Sequence, residues 1–118
     1  MKLKSFTYPQ QEKLKSKTRI KQVFEEGKSL KSYPILIRYV ETEDKITKVG
    51  VSVSKRNFKK AVDRIRIKRQ LREAYRLHKN EIDTSKKCFA VMLIFIGRTQ
   101  ETSALIHKKV ETLLKQIV

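Results

Sequence analysis

The chain has 118 residues, the length of one ordinary domain, enough to bury a single core and too short to divide into two. Hydrophobic residues make up 39% of it against 35% charged, so disorder throughout is excluded. The 29 Lys and Arg against 12 Asp and Glu leave a formal charge of +17, which raises the free energy of a compact state unless counter-charge lies nearby.

Residues 1–15 carry Pro9, paired glutamines and scattered lysines without a clear period, and read as an extended arm of the single domain 1–118. Ser16 can cap a first helix over 17–26, in which Ile20, Val23 and Phe24 keep helical spacing, and Gly27 can end it in a left-handed conformation. The segment from Pro34 to Val40 is rich in β-branched and aromatic residues. A polar turn follows, then Ile46 to Ser54, and the spacing predicts two strands joined as a hairpin. The second strand alternates: Val49, Val51 and Val53 share one face, expected in the core, while Gly50, Ser52 and Ser54 share the other. From Lys60 to Lys79 there is no Gly or Pro, and Arg, Lys, Leu, Ala and Glu dominate, which predicts a longer helix that Asn80 can end. Phe89 to Ile96 run without alternation between Lys87 and Gly97, as in a central strand buried on both faces. Thr102 or Ser103 can cap a last helix carrying Ile106, Val110, Leu113, Leu114 and Ile117 at helical spacing. The order is α-β-β-α-β-α, an α+β chain with no internal repeat.

A polyanionic partner accounts for the charge, and nucleic acid suits it better than a membrane. The longest apolar run, Phe89 to Ile96, falls far short of the roughly 20 residues that span a bilayer. The amino end has no apolar stretch of the secretory kind, which makes the cytoplasm the expected location. Cys88 is the single cysteine, so no disulfide can form within the chain and a cysteine-based zinc site is excluded in practice; it is expected to be buried.

The charge is concentrated. Lys55, Arg56, Lys59, Lys60, Arg64, Arg66, Lys68, Arg69, Arg72, Arg76 and Lys79 face only Asp63 and Glu73 in the same segment, which therefore holds more than half of the net charge. On a helical wheel Ile67, Leu71, Ala74 and His78 gather on one side with Tyr75 at its edge, and that side should pack on the sheet. Lys68, Arg69, Arg72 and Arg76 gather opposite, flanked by Arg64 and Arg66. Ordinary solvated faces mix both signs and gain from pairs four residues apart. Here Arg64, Lys68, Arg72 and Arg76 place like charges at that spacing, an arrangement that an anion such as a phosphate backbone would relieve.

Hydrolysis by a protein needs a positioned acid, base or metal. His78 falls on the packing side of its helix and His107 beside an apolar stripe, both expected to be structural, and no carboxylate motif accompanies either in sequence. No catalytic residue and no metal or cofactor site is assigned to the chain. Charge and element order permit a ribosomal or other structural RNA-binding protein equally well. A helix-turn-helix DNA binder fits less well, because a strand rather than a paired helix leads into the basic helix.

The segment Val51-Ser-Val-Ser-Lys-Arg-Asn-Phe-Lys-Lys-Ala-Val-Asp-Arg-Ile-Arg-Ile-Lys-Arg-Gln-Leu-Arg-Glu-Ala-Tyr75 closely resembles the signature region of the bacterial ribonuclease P protein family. In that family a strand ending Val-Ser-Lys-Lys leads through a short loop and Ala-Val into Arg-Asn-Arg-x-Lys-Arg-x-x-Arg. Leu14, Ile20, Val23, Phe24 and Gly27 resemble its first helix. The resemblance implies an α/β sandwich with a left-handed βαβ crossover, like domain 2 of ribosomal protein S5. It implies an endoribonuclease subunit active only in a holoenzyme, whose RNA binds magnesium and cuts the 5′ leader from precursor tRNA. The partners it implies are that RNA and precursor tRNA, not DNA or membrane. By the same likeness, Lys55, Arg56, Lys59, Lys60, Arg64, Arg66, Lys68, Arg69, Arg72 and Arg76 face the catalytic RNA, and Ile20, Phe24, Tyr39, Ser52 and Ser54 line a cleft for the leader. Ile65 departs from the family's Asn, so the role of that amide does not carry over.

Overall fold

The computed structural model describes residues 14, 17–43, 46–79 and 88–117. The elements are α1 (Lys17–Glu26), β1 (Lys28–Ser32), β2 (Ile35–Thr42), β3 (Lys48–Val53), α2 (Ala61–His78), β4 (Cys88–Phe95) and α3 (Ser103–Leu114). The expected α+β architecture is present, with one short strand more than the sequence suggested. The arm at 1–15, apart from Leu14, and the caps expected at Ser16 and Asn80 lie outside the described residues.

The four strands lie in the order β1-β2-β4-β3. β2 pairs antiparallel with β1 and with β4, while β3 pairs with β4 in parallel, so α2 is the crossover between parallel neighbours. The expected hairpin between β2 and β3 is therefore corrected: β4 occupies the place between them, and β2 forms its hairpin with β1 instead. β4 can sit in the centre because its residues are apolar on both sides; Phe89 to Leu93 are all buried. β1 carries Lys28 and Lys31 on its exposed positions, a composition that suits a sheet edge.

On one face of the sheet α2 and α3 close the main core. Ile35, Ile37 and Tyr39 of β2, Val49 and Val53 of β3, and Phe89, Val91, Leu93 and Phe95 of β4 meet Ile67, Leu71, Ala74, Ile106, Val110, Leu113 and Leu114 from the helices. Thr102 caps α3 as expected, its Oγ1 accepting a hydrogen bond from Leu105 N at 3.2 Å. Cys88 is half-buried at the start of β4.

On the other face α1 covers a smaller cluster, in which Leu14, Val23, Ala90 and Met92 are buried and Ile20, Val40 and Ile94 pack at the margin. Leu14 N donates to Val49 O at 2.8 Å, so Leu14 lies against the outer edge of β3. Gly27 ends α1, but not in the left-handed conformation expected, since no glycine has positive φ. It is small because the backbones crowd it: a Cβ there would lie 2.2 Å from Val23 O and 2.9 Å from Tyr39 O.

Candidate nucleic-acid interface

The loop from Ser54 to Lys60 is held by its own backbone. Ser54 Oγ accepts from Arg56 N at 3.1 Å and from Asn57 N at 3.4 Å, and Ser54 O accepts from Phe58 N at 3.1 Å. Phe58 is buried and its ring lies 5.8 Å from that of Phe95, which pins the loop to the core. Lys60 stands in the N-cap position in an extended conformation and its side chain makes no capping bond. Instead Arg64 Nη1 donates to Phe58 O at 2.7 Å and Lys59 O at 2.9 Å, tying the first turn of α2 to the loop. Lys55, Arg56, Lys59 and Lys60 are left exposed on it.

α2 buries Ile67, Leu71, Ala74 and Tyr75, the side expected to face the sheet. Arg66, Arg69 and Arg72 are exposed and Lys68 is half-buried on the remaining surface. None of the four, nor any of the four loop cations, has a side-chain hydrogen bond or carboxylate partner among the described residues. The like-charged row read from the sequence is thus shorter than it looked. Arg64 is committed to loop carbonyls at one end, and Arg76 pairs at the other with Glu73, whose carboxyl is held below its ordinary pKa by the Arg76 hydrogen bond. Ile65, 55% exposed, and Val62, 68% exposed, add an apolar step beside the cations.

Arg64→Ala should therefore loosen the loop as well as remove a cation. Amide exchange at Phe58 and Asp63 should speed up markedly in Arg64→Ala but not in Arg66→Ala, as measured by hydrogen exchange. Equal protection in the two variants would mean that the guanidinium does not hold the loop.

The second candidate surface is the sheet face that carries α1. Phe24 is 43% exposed at the end of α1 and not part of either core, whereas Ile20 is half-buried against the smaller cluster. Tyr39 is not on this face. It is 5% exposed in the main core, with its ring edge-on to Phe89 at 5.8 Å, because residues 35, 37 and 39 share the face that α2 and α3 cover. Beside Leu36 and Val40, the β2 residue on the α1 face is Arg38, which nothing in the sequence marks. Its Nη1 donates to Ser29 Oγ at 2.7 Å, and its Nη2 to Phe24 O at 2.7 Å and Gly27 O at 3.3 Å. Its guanidinium carbon lies 6.0 Å from the centre of the Phe24 ring. Arg38 thus holds the carboxyl end of α1, where the backbone carbonyls lack partners, and puts a positive charge beside an exposed aromatic.

Across the sheet, Leu36, Ile94 and Ser52 form one rank of this face and Arg38, Met92 and Gly50 the next. The space over Gly50 is filled from within: a Cβ there would lie 2.7 Å from Met92 Sδ and 3.5 Å from Leu14. Ser52 remains half-buried on the face, while the Ser54 hydroxyl is engaged in its turn.

Chain-distant residues also bring a histidine and a carboxylate together, which the sequence did not reveal. His78 Nδ1 lies 3.3 Å from Glu111 Oε2 and its ring 5.7 Å from that of His107, linking α2 to α3. Burial, then the neighbouring His78, pushes the His107 pKa down. Among the described residues no three His, Cys, Asp or Glu side chains are grouped to hold a metal, and no helix is long and apolar enough to cross a membrane.

The family model for ribonuclease P matches residues 8–118. The chain is 34% identical over 98 residues to the ribonuclease P protein component of Porphyromonas gingivalis, covering 78% of this chain and 72% of that one. It is 32% identical over 106 residues to the component from Clostridioides difficile, covering 87% and 89%. The fold is similar to the solved ribonuclease P protein of Thermotoga maritima, with a TM-score of 0.77 and 25% identity over 91% of this chain and 98% of that one. The Staphylococcus aureus protein matches with a TM-score of 0.71 and 26% identity, over 88% and 93%. A match over nearly the whole length, in sequence and in fold together, establishes that the chain belongs to the ribonuclease P protein family.

Proposed function

We propose that this chain, as the protein component of ribonuclease P, binds the catalytic RNA through the β3–α2 loop and α2, and binds the 5′ leader of precursor tRNA along the sheet face beside α1. The observation that carries the reading is the set of eight cations from Lys55 to Arg72 whose side chains have no partner among the described residues. Each that meets a phosphate displaces a condensed counterion, which makes the binding strong at low salt and weak at high salt. Where two polyanions must approach each other, the same cations lower their repulsion. On the other face, Phe24 and the half-buried Leu36 and Ile94 offer apolar contact to unpaired bases, and Arg38 offers charge to the strand between them. The protein holds and orients substrate; hydrolysis and the magnesium it needs belong to the RNA. The reaction is tRNA 5′ maturation in the cytoplasm, with neither DNA nor membrane as a partner.

Reconstitution with a bacterial ribonuclease P RNA at low magnesium tests this. Protein freed of RNA should leave precursor tRNA intact, the mixture should cut at the mature 5′ end, and the benefit of the protein should grow with leader length. A benefit independent of the leader would favour a purely structural RNA-binding role, and cleavage by the protein alone would overturn the division of labour.

A further inference from the structure

At the end of the sheet where β2 begins and β3 and β4 finish, three loops are fastened together. Ile96 N donates to Pro34 O at 2.8 Å, and Asn57 Nδ2 donates to Gly97 O at 3.3 Å. The turn at 33–34, the loop after β4 and the start of the β3–α2 loop thus form one corner. On one side of it lies the sheet face with Leu36, Ile94 and Ser52, half-buried where Ala90 and Met92 beneath α1 are closed. On the other side begins α2. A strand passing from that face to α2 turns this corner.

Tyr33 is 56% exposed there. A lone exposed aromatic needs no explanation in an average protein. This one belongs to a corner that also carries Lys31 near the end of β1 and Arg56 and Arg98 in its loops, all exposed and all without a carboxylate or hydrogen-bond partner for the side chain among the described residues. Such surroundings select a polyanion as the occupant, and an aromatic face among cations is the arrangement that grips an unpaired base without choosing its identity. We propose that Tyr33 is a stacking platform for a leader nucleotide beyond those held beside Phe24, with Arg56 and Arg98 on the flanking phosphates. The proposal rests on the reading of the α1 face as the leader site and extends that site to the loop end of the sheet.

The test uses the full chain assembled with catalytic RNA, and precursor tRNAs with short and long leaders beside mature tRNA. Tyr33→Ala should weaken binding of the long-leader substrate by about fivefold to tenfold, within the range set by loss of stacking on one base. Binding of the short-leader substrate and of mature tRNA should stay as in the parent, Tyr33→Phe should restore the long-leader affinity, and the thermal midpoint should not move. Phe24→Ala, measured in parallel, should weaken both leader-bearing substrates. If Phe24→Ala has its effect and Tyr33→Ala has none, the platform is refuted while the leader site stands. No effect from either refutes the leader site itself. An equal loss by Tyr33→Ala on mature tRNA, or on the catalytic RNA alone, overturns the assignment of Tyr33 to the leader.

Discussion

Replacing Arg66, Arg69 and Arg72 together with alanine should weaken binding of the catalytic RNA by about 3 kcal/mol, more than a hundredfold, if each removes one phosphate contact worth about 1 kcal/mol. The salt dependence should change with it. The slope of log affinity against log salt should become shallower by about 2.7, since each lost contact removes about 0.9. The fold should survive, because all three side chains are exposed and have no partner among the described residues that truncation would leave behind. Arg76→Ala is the internal control: its guanidinium already serves Glu73, so it should disturb RNA affinity less than any of the three. A triple variant with the parent's salt slope would show that this side of α2 does not meet RNA.

Tyr39→Ala should lower folding stability by about 3 to 5 kcal/mol, the range for truncating a large buried aromatic. A change of that size moves the thermal midpoint of a domain this long by well over 10 °C, roughly 4 °C or more for each kcal/mol. Phe24→Ala should hardly move it, because Phe24 is 43% exposed and the Arg38 bond to the Phe24 carbonyl does not need the ring. It should instead weaken binding of leader-bearing precursor tRNA by about 1 to 3 kcal/mol, the range for one stacked base, and leave mature tRNA unaffected. Calorimetry of both variants beside both affinities separates core from site. Should Phe24→Ala destabilise the fold as far as Tyr39→Ala and weaken both RNAs alike, the assignment of Phe24 to an RNA surface is wrong.

These two aromatics also mark where the sequence was readable. α1, α2 and α3 were legible to within a residue or two at most ends, because periodic apolar residues and breakers such as Gly27 and Thr102 report local structure. β4 was legible as the central strand because only burial on both faces explains an unbroken run like Phe89 to Ile96. Pairing was not. Sequential strands are neighbours often enough to make a β2–β3 hairpin the simplest reading, yet nothing local in 35–53 records that β4 enters between them. β1 went unseen because Lys28-Ser-Leu-Lys-Ser32 has one apolar residue, as a polar edge strand can. The error at Tyr39 was one of parity: a shift by one residue exchanges the faces of a strand, and Arg38 took the place assigned to its neighbour. The basic side of α2 was visible as composition, but which cations the fold consumes was not. The Arg64 bonds to Phe58 and Lys59 exist only once the loop is in place.

In the order of synthesis β1, β2, β3 and α2 of this chain all precede β4. Until then β2 has an open edge and β3 has no strand beside it, because β4 is the neighbour both require. The hairpin of β1 and β2 can close early, since its partners are adjacent in the chain. The pairing of β2 with β4 must wait, and closing so long a loop is entropically slow. Phe89, Val91, Leu93 and Phe95 arrive together on the late strand, so Ile67 and Leu71 of α2 meet an incomplete sheet in the interval. The segment that carries most of the charge is thus complete in the chain before the strand that forms the hydrophobic centre, and the core closes only when β4 enters the sheet.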